Sequence, residues 1–293
     1  MGFRTVVVKS RSKLECRLNY LVVRSDVEQK VFLNEINTLI VQSTAVSLTA
    51  ALLAELARNN VKVIFCDEKG NPSSELLPYY GAHNVSKRIR EQFAWSDEVK
   101  GMVWSKIVRQ KIVGQARHLA DKGLPGSELL LSYADRVESG DASNREGHAA
   151  KVYFNSLFGK GFSRDDPCFE NACLNYGYAV LLSAFNREIV AAGYLTQLGI
   201  WHENQFNQFN FACDLMEPFR PFVDRIATSM PPYAKDFKKR MTMILSCEVA
   251  IDGKNTLLEN ALKVYCRSVF DALQTGDVQA IRFVESFALP NFE

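Results

Sequence analysis

ELLPYYGAHNV, Glu75 to Val85, is the stretch on which the fold turns. Pro78, Gly81 and Asn84 interrupt any regular period, and the character of the chain differs on its two sides. Before it lie short β-branched runs: Arg4 to Lys9, Leu14 to Leu18, Tyr20 to Arg24, Gln29 to Asn34 and Thr38 to Gln42. Their close spacing favours an antiparallel or mixed sheet over βαβ units. A helix follows, LTAALLAELARNN, with Ser47 as its expected N-cap, Leu48, Leu52 or Leu53, and Leu56 on one face, and Asn59-Asn60 at its end. Val61 to Cys66 reads as a buried strand and Asp67 to Ser74 (DEKGNPSS) as a turn-rich loop.

Beyond the break, long amphipathic patterns dominate. Helices are expected over Ser86–Ala120, Gly126–Val137, Asn144–Leu157, Phe169–Ala192, Gln205–Met216, Pro218–Thr228, Ala234–Leu245 and Thr256–Thr275. The expected class is therefore α+β: an N-terminal β-rich domain over residues 1–76, a linker over 77–86, and a larger all-α C-terminal domain over 87–293. No internal repeat or low-complexity tract is present.

A length of 293 residues suits two domains, and 47% hydrophobic residues suffice for real cores. The net charge of +2 does not announce a nucleic-acid binder, so any basic footprint must come from local clusters. Four such clusters occur: Lys87, Arg88 and Arg90; Lys106, Arg109 and Lys111; Arg220 and Arg225; and Lys235, Lys238, Lys239 and Arg240. Each taken alone reads as a solvated face, and together they would supply phosphate-binding tracks. Asn171, Asn175 and Tyr178 share one helical face, a polar surface or the wall of a groove.

The seven cysteines (Cys16, Cys66, Cys168, Cys173, Cys213, Cys247 and Cys266) show no CxxC spacing, which argues against zinc or disulfides. They read as small buried hydrophobes in a reducing compartment. The N-terminus lacks a signal-peptide core, and no apolar run approaches the roughly 20 residues of a membrane span. The expected location is the cytoplasm. GxxxxGK[ST], GxGxxG and GxSxG are all missing, which removes support from P-loop, dinucleotide-binding and α/β-hydrolase readings.

The chemistry-bearing stretch is LGIWHENQFNQFNFACDLMEPFRP, Leu198 to Pro221. Asp214 and Glu217 are three apart and share a helix face. Pro218 disfavours helical geometry at Glu217, which places this carboxylate at a helix end or kink. One imidazole, His202, with carboxylates and no neighbouring thiolate is a hard donor set that suits Mg²⁺ or Mn²⁺. For His202 a satisfied histidine near a helix start is an equal alternative. For Asp214 and Glu217 the alternative is a solvated face, but they lie among Phe209, Phe211, Leu215, Met216 and Phe219, where carboxylates need partners. Glu146 falls in the first turn of a helix after Ser143 or Asn144, and by spacing alone a capping box, Ser143-x-x-Glu146, is its simpler account. His148, two residues on, does not face it.

Taken together, RTVVVKSRSKLECRLNYLVVR, STAVSLTAALLAELARNNVKVIFCDEKGNPSSELLPYYGAHN and NQFNFACDLMEPFRPFVD resemble the CRISPR-associated integrase family Cas1, in the compact form found beside Cas9 effectors. The resemblance runs over essentially the whole chain. It implies a β-rich N-terminal domain that dimerises and a helical catalytic domain. It also implies a Mg²⁺ or Mn²⁺ site on Glu146, His202 and Glu217, with Asp214 in support or in DNA contact. Some branches of the family carry Asp where this chain has Glu217. The implied reaction is attack by the 3′-OH of a short DNA fragment on a phosphodiester at the leader–repeat junction of a CRISPR array. The implied partners are donor and target DNA, a second copy of the chain, a Cas2 dimer in a heterohexamer, and the Cas9 effector with an accessory adaptation protein. Competing readings are a stand-alone metal-dependent nuclease that hydrolyses branched DNA, a DNA-binding scaffold with a structural acidic cluster, and a small-molecule carboxylate-metal enzyme.

Overall fold

A computed structural model describes residues 4–78 and 82–290. The chain divides into two compact units, Met1–Tyr79 and Tyr80–Glu293. Residues 79–81 of the expected linker lie outside the described residues, and its last two, Val85 and Ser86, are already helical.

The first unit holds β1 (Arg4–Val8), β2 (Ser12–Arg17), β3 (Tyr20–Arg24), β4 (Glu28–Phe32), β5 (Ile36–Val41), β6 (Val46–Leu48), α1 (Ala50–Arg58), β7 (Lys62–Cys66) and β8 (Pro72–Leu76). They form two four-stranded mixed sheets, ordered β1-β5-β7-β8 and β4-β3-β2-β6. In the first, β1, β5 and β7 run parallel and β8 returns antiparallel. In the second, β6 runs parallel to β2 beside the β2–β3–β4 meander. One βαβ step does occur, β5–α1–β7. Leu14, Leu21, Leu39, Leu52, Leu56 and Val63 are fully buried in one cluster, so the apolar stripe of α1 packs with alternate strand residues as the 3.6 and 2.0 periods require.

Two local expectations need correction. The cap of α1 is Thr49, whose hydroxyl accepts from Leu52 N, while Ser47 belongs to β6 and is paired with Lys13. The expected loop Asp67 to Ser74 is shorter, because Asp67 folds the turn by accepting from Lys69 and Asn71 N, and β8 starts at Pro72 on the sheet edge that tolerates proline.

The second unit comprises α2 (Val85–Phe93), α3 (Asp97–Asp121), α4 (Ser127–Ala134), α5 (Arg145–Phe158), α6 (Phe169–Ala191), α7 (Asn210–Met216), α8 (Arg220–Ser229), α9 (Phe237–Thr242), β9 (Glu248–Ile251), β10 (Lys254–Leu257), α10 (Leu258–Thr275) and β11 (Val284–Phe287). The single helix expected over Ser86–Ala120 is two, because Ser96 caps α3 by accepting from Val99 N and Ala94 ends α2. α3 and α6 are buried along most of their length, so both run through the core of this unit.

An all-α description needs one amendment. A three-stranded antiparallel sheet, β10-β9-β11, lies within the helical unit. Its β9–β10 hairpin turns on Asp252-Gly253, both at positive φ, as a two-residue hairpin loop demands. No helix among the described residues is long and apolar enough to cross a membrane. The cysteines are free.

Candidate active site

Glu146 sits in the first turn of α5, and the capping box does not account for it. The cap is Asn144, at φ 50°, whose Oδ1 accepts from Gly147 N at 3.1 Å. Asp141 covers the next two orphan donors, accepting from Arg145 N at 2.8 Å and Glu146 N at 2.9 Å. The Glu146 side chain is thereby released from capping and accepts from Lys111 Nζ at 2.5 Å.

Glu217 lies where α7 gives way to a single 3₁₀ turn, Glu217–Phe219, before α8. Pro218 has the expected consequence for position but not for dihedral angles. Glu217 stays at φ −52° and ψ −44°, and the ladder tightens instead of unwinding. The side chain is 4% exposed, not solvated. Its Oε2 accepts from Lys111 Nζ and its Oε1 from Arg220 Nε at 2.8 Å. Burial alone would push this carboxyl up, but Arg220 and Lys111 hold it below the ordinary carboxylate range. Burial pulls Lys111 down, Glu217 and Glu146 push it up, and the balance is upward.

His202 lies in the loop between α6 and α7. Its Nδ1–H donates to Asp214 Oδ1 at 2.5 Å, which leaves the Nε2 lone pair as the ligating position. Asp214 is fully buried and also accepts from the backbone N–H groups of Ile200 (2.5 Å), Trp201 (3.0 Å) and His202 (3.2 Å), so one carboxylate shapes the whole loop. A side chain at Gly199 would collide with Asp214 and the His202 carbonyl, so only glycine lets this loop close. The Trp104 ring meets the imidazole edge-on, with centroids 5.5 Å apart. The Asp214 hydrogen bond, opposed by burial, raises the His202 pKa, and the charges of Asp214, Glu217 and Glu146 add to the rise. Burial pushes Asp214 up in turn, against the pull of its imidazole and backbone donors. His202 also lines an open cavity of about 410 Å³, with Phe93, Gln197, Gln205 and Gln208 among its walls.

The three expected residues thus lie in one electrostatic neighbourhood, but not as a preassembled cage. Among the described residues no three acidic, His or Cys side chains are grouped around one point. Glu146 and Glu217 instead converge on the ammonium of Lys111, a cation standing between two carboxylates. Oxygen donors already gathered on a positive charge, beside an imidazole with a free nitrogen, form a donor set that fits a hard divalent ion.

The sequence puts Lys111 in a basic surface cluster; the structure buries it. The signal lies in its position on the apolar stripe of α3, four after Ile107 and four before Gln115, both buried. Arg220 likewise belongs to the site. Other clustered cations are paired: Arg88 with Glu91, Arg109 with Asp135, Arg225 with Asp121 and Arg240 with Asp236. The face of Asn171, Asn175 and Tyr178 is not a plain polar surface. Arg164 bridges the two amides and lies over the Tyr178 ring, while Asn171 and Tyr178 are buried.

Tyr178 leads to a second polar network that the sequence does not reveal. Tyr178 and Tyr153 donate to Asp224 Oδ1 and Oδ2 at 2.5 and 2.9 Å. Because Tyr153 spends its hydrogen there, His118 Nδ1–H must donate to Tyr153 Oη, 2.7 Å away. Burial pushes Asp224 up to about 6 and His118 down to about 3. The Arg220 guanidinium stacks 4.6 Å from the Tyr178 centroid, touching both networks.

Fold and site together define a two-unit α+β protein with a buried carboxylate–lysine centre beside a carboxylate-oriented histidine. Residues 5–261 match the family described as CRISPR associated protein Cas1. A CRISPR-associated endonuclease Cas1 of Neisseria meningitidis is 38% identical over 229 residues, 76% of this chain and 74% of that protein. One from Francisella tularensis subsp. novicida is 27% identical over 277 residues, 83% of this chain and 87% of that protein. The chain belongs to the Cas1 family. Among solved structures, a casposase bound to integration product superposes with a TM-score of 0.76 at 18% identity, covering 94% of this chain and 92% of that one. A Cas1 protein from Thermotoga maritima gives 0.71 at 15% identity, covering 93% and 97%. A chain of a Cas6-RT-Cas1–Cas2 complex gives 0.73 at 17% identity; 96% of this chain matches about a third of that longer one, 36%.

Proposed function

We propose that this protein is the DNA-integrating enzyme of CRISPR adaptation, joining the 3′-OH of a short DNA fragment to a phosphodiester at the leader–repeat junction. The observation that carries the reading is the convergence of Glu146 and Glu217 on one cationic position beside the Asp214-oriented His202, in a chain of this family. Glu146, His202 and Glu217 would hold Mg²⁺ or Mn²⁺. When bound, such an ion supplies polarisation of the phosphoryl oxygen and stabilisation of charge on the attacking and leaving oxygens.

The chain's own residues account for the rest. Asp214 holds the imidazole in one tautomer and orientation, so the Nε2 lone pair is presented without reorganisation. Arg220 fixes Glu217 Oε1, and stacking on Tyr178 limits its own freedom. The cavity beside His202, with the amides of Gln197, Gln205 and Gln208, offers hydrogen-bonding groups for a DNA end. In the reaction a new phosphorus–oxygen bond forms to the donor 3′-oxygen, and the target's phosphorus–oxygen bond breaks to free its own 3′-OH. One phosphodiester replaces another, so no nucleotide triphosphate is consumed. We assign the working assembly as a homodimer with a Cas2 dimer, by analogy with the Cas6-RT-Cas1–Cas2 complex that shares the fold, with the Cas9 effector and an accessory protein as further partners.

Hydrolysis is the second reading, favoured by the word endonuclease in the names of the two relatives. It uses the same site with water in place of the 3′-OH. The test is an integration assay with the Cas2 partner, a short 3′-OH duplex, a leader–repeat plasmid and Mg²⁺ or Mn²⁺, comparing wild type with His202→Ala and Glu217→Ala. Joined product lost in both variants supports integration at this site. Cutting without joining supports hydrolysis, and joining that survives both substitutions moves the site elsewhere.

A further inference from the structure

Lys111 occupies the oxygens a divalent ion would need. Arg220 already takes Glu217 Oε1, and Lys111 takes Glu217 Oε2 and Glu146 Oε1. A divalent ion and an ammonium held a few ångströms apart in a partly desolvated site repel strongly. Carboxylates this buried cannot stand without a counter-charge either, so one cation must replace the other. Of the two cations at Glu217, Lys111 is the one built to leave. Its ammonium is a point charge on a flexible four-carbon stem, whereas the Arg220 guanidinium is pinned on the Tyr178 ring.

We propose that Lys111 is a resident competitor for the divalent ion: its ammonium neutralises Glu146 and Glu217 until the ion takes them, and then pairs with a phosphate of bound DNA. This rests on the reading of Glu146, His202 and Glu217 as ion ligands. Its consequence is coupling. The ion alone must strip the ammonium of both partners, so it binds weakly; DNA supplies a replacement anion, so ion and DNA strengthen each other reciprocally. A site that stays lysine-filled until DNA arrives would be restrained from cutting in the absence of its substrate.

The experiment is Mn²⁺ binding followed by electron paramagnetic resonance on the full chain, with and without a short 3′-OH duplex, for wild type, Lys111→Met and Lys111→Arg. Lys111→Met is expected to bind Mn²⁺ at least about tenfold more tightly than wild type without DNA, with little further gain from DNA. Lys111→Arg, which keeps the competing charge, is expected to stay weak. A folded Lys111→Met with unchanged or weaker Mn²⁺ affinity overturns the proposal. Should Lys111→Met fail to fold, wild type decides: reductive methylation of Lys111, read by peptide mass spectrometry, should rise several-fold at saturating Mn²⁺ and fall again with DNA. Unchanged labelling overturns the proposal as well. If Glu146→Gln and Glu217→Gln leave wild-type-like Mn²⁺ binding, the ligand assignment itself is wrong and this inference falls with it.

Discussion

Glu217 and Asp224 are seven residues apart, both almost fully buried, and each accepts two side-chain hydrogen bonds, yet their acidities move in opposite directions. Burial pushes both carboxyls up. At Glu217 the partners are an ammonium and a guanidinium, which reverse the shift. At Asp224 they are two tyrosine hydroxyls, which do not, and the group ends at about 6. At equal burial and equal hydrogen-bond count, the formal charge of the partners decides whether a carboxylate is a ready anion. One network is arranged to keep negative charge available for a cation, and the other binds helices together.

The sharpest separation of the two comes from removing each carboxylate. Glu217→Gln should lower joining by about 10²-fold or more, since it removes a ligand charge. Asp224→Ala strands two buried tyrosine hydroxyls and should cost about 2–5 kcal/mol of stability, while leaving joining by the folded protein within a few-fold of wild type. Calorimetry and the integration assay below the unfolding range measure both. An Asp224→Ala that stays folded but no longer joins would break the division.

Acid–base linkage gives the next largest effect. Asp224 has a native pKa of about 6 against an ordinary 3.8, so the native state holds its proton more tightly and stability falls as pH rises between those values. His118 has a native pKa of about 3 against 6.5, so the unfolded state binds the proton more tightly and stability is lost as pH falls through that window. The two slopes, each about 1.4 kcal/mol per pH unit at full development, oppose each other between about pH 4 and 6. Relative to wild type, Asp224→Asn should therefore gain stability with rising pH over this range, and His118→Gln should lose it. Thermal melts of the three proteins from pH 4 to 7 test the pairing; identical slopes in all three would sink it.

The β-rich unit was legible because its strands carry alternation and β-branched runs that no helix would favour. The β9–β10 hairpin carried a readable Asp252-Gly253 turn, but Val249, Ile251 and Leu257 merge with helical patterns on either side. At the site, the resemblance to Cas1 pointed to Glu146, His202 and Glu217, and spacing along the chain could not join them, because Glu146 and Glu217 meet only through Lys111 on a third helix. Lys111 and Arg220 were visible as charges, and what hid their role was burial, a property of tertiary packing. Asp224 and Tyr153 gave no local signal at all: a carboxylate and a phenol 71 residues apart become partners only when α5 and α8 are placed together.

The smallest test probes the boundary between the networks, where Tyr178 serves both. Its hydroxyl belongs to Asp224 and its ring supports Arg220. Tyr178→Phe removes only the first role and should cost about 1 kcal/mol of stability with joining unchanged. Tyr178→Leu removes both; the lost stacking adds about 0.5–2 kcal/mol, and joining should fall a few-fold because Arg220 no longer holds Glu217 Oε1 as firmly. The readout that separates them is the ratio of joining to stability loss, measured for each variant by integration rate and thermal melt. If Phe and Leu lower joining equally, Arg220 owes nothing to the ring, and the influence of Tyr178 on the site must run through Asp224. The charged and neutral networks would then be one mechanical unit, and the contrast between Glu217 and Asp224 would be one of acidity alone.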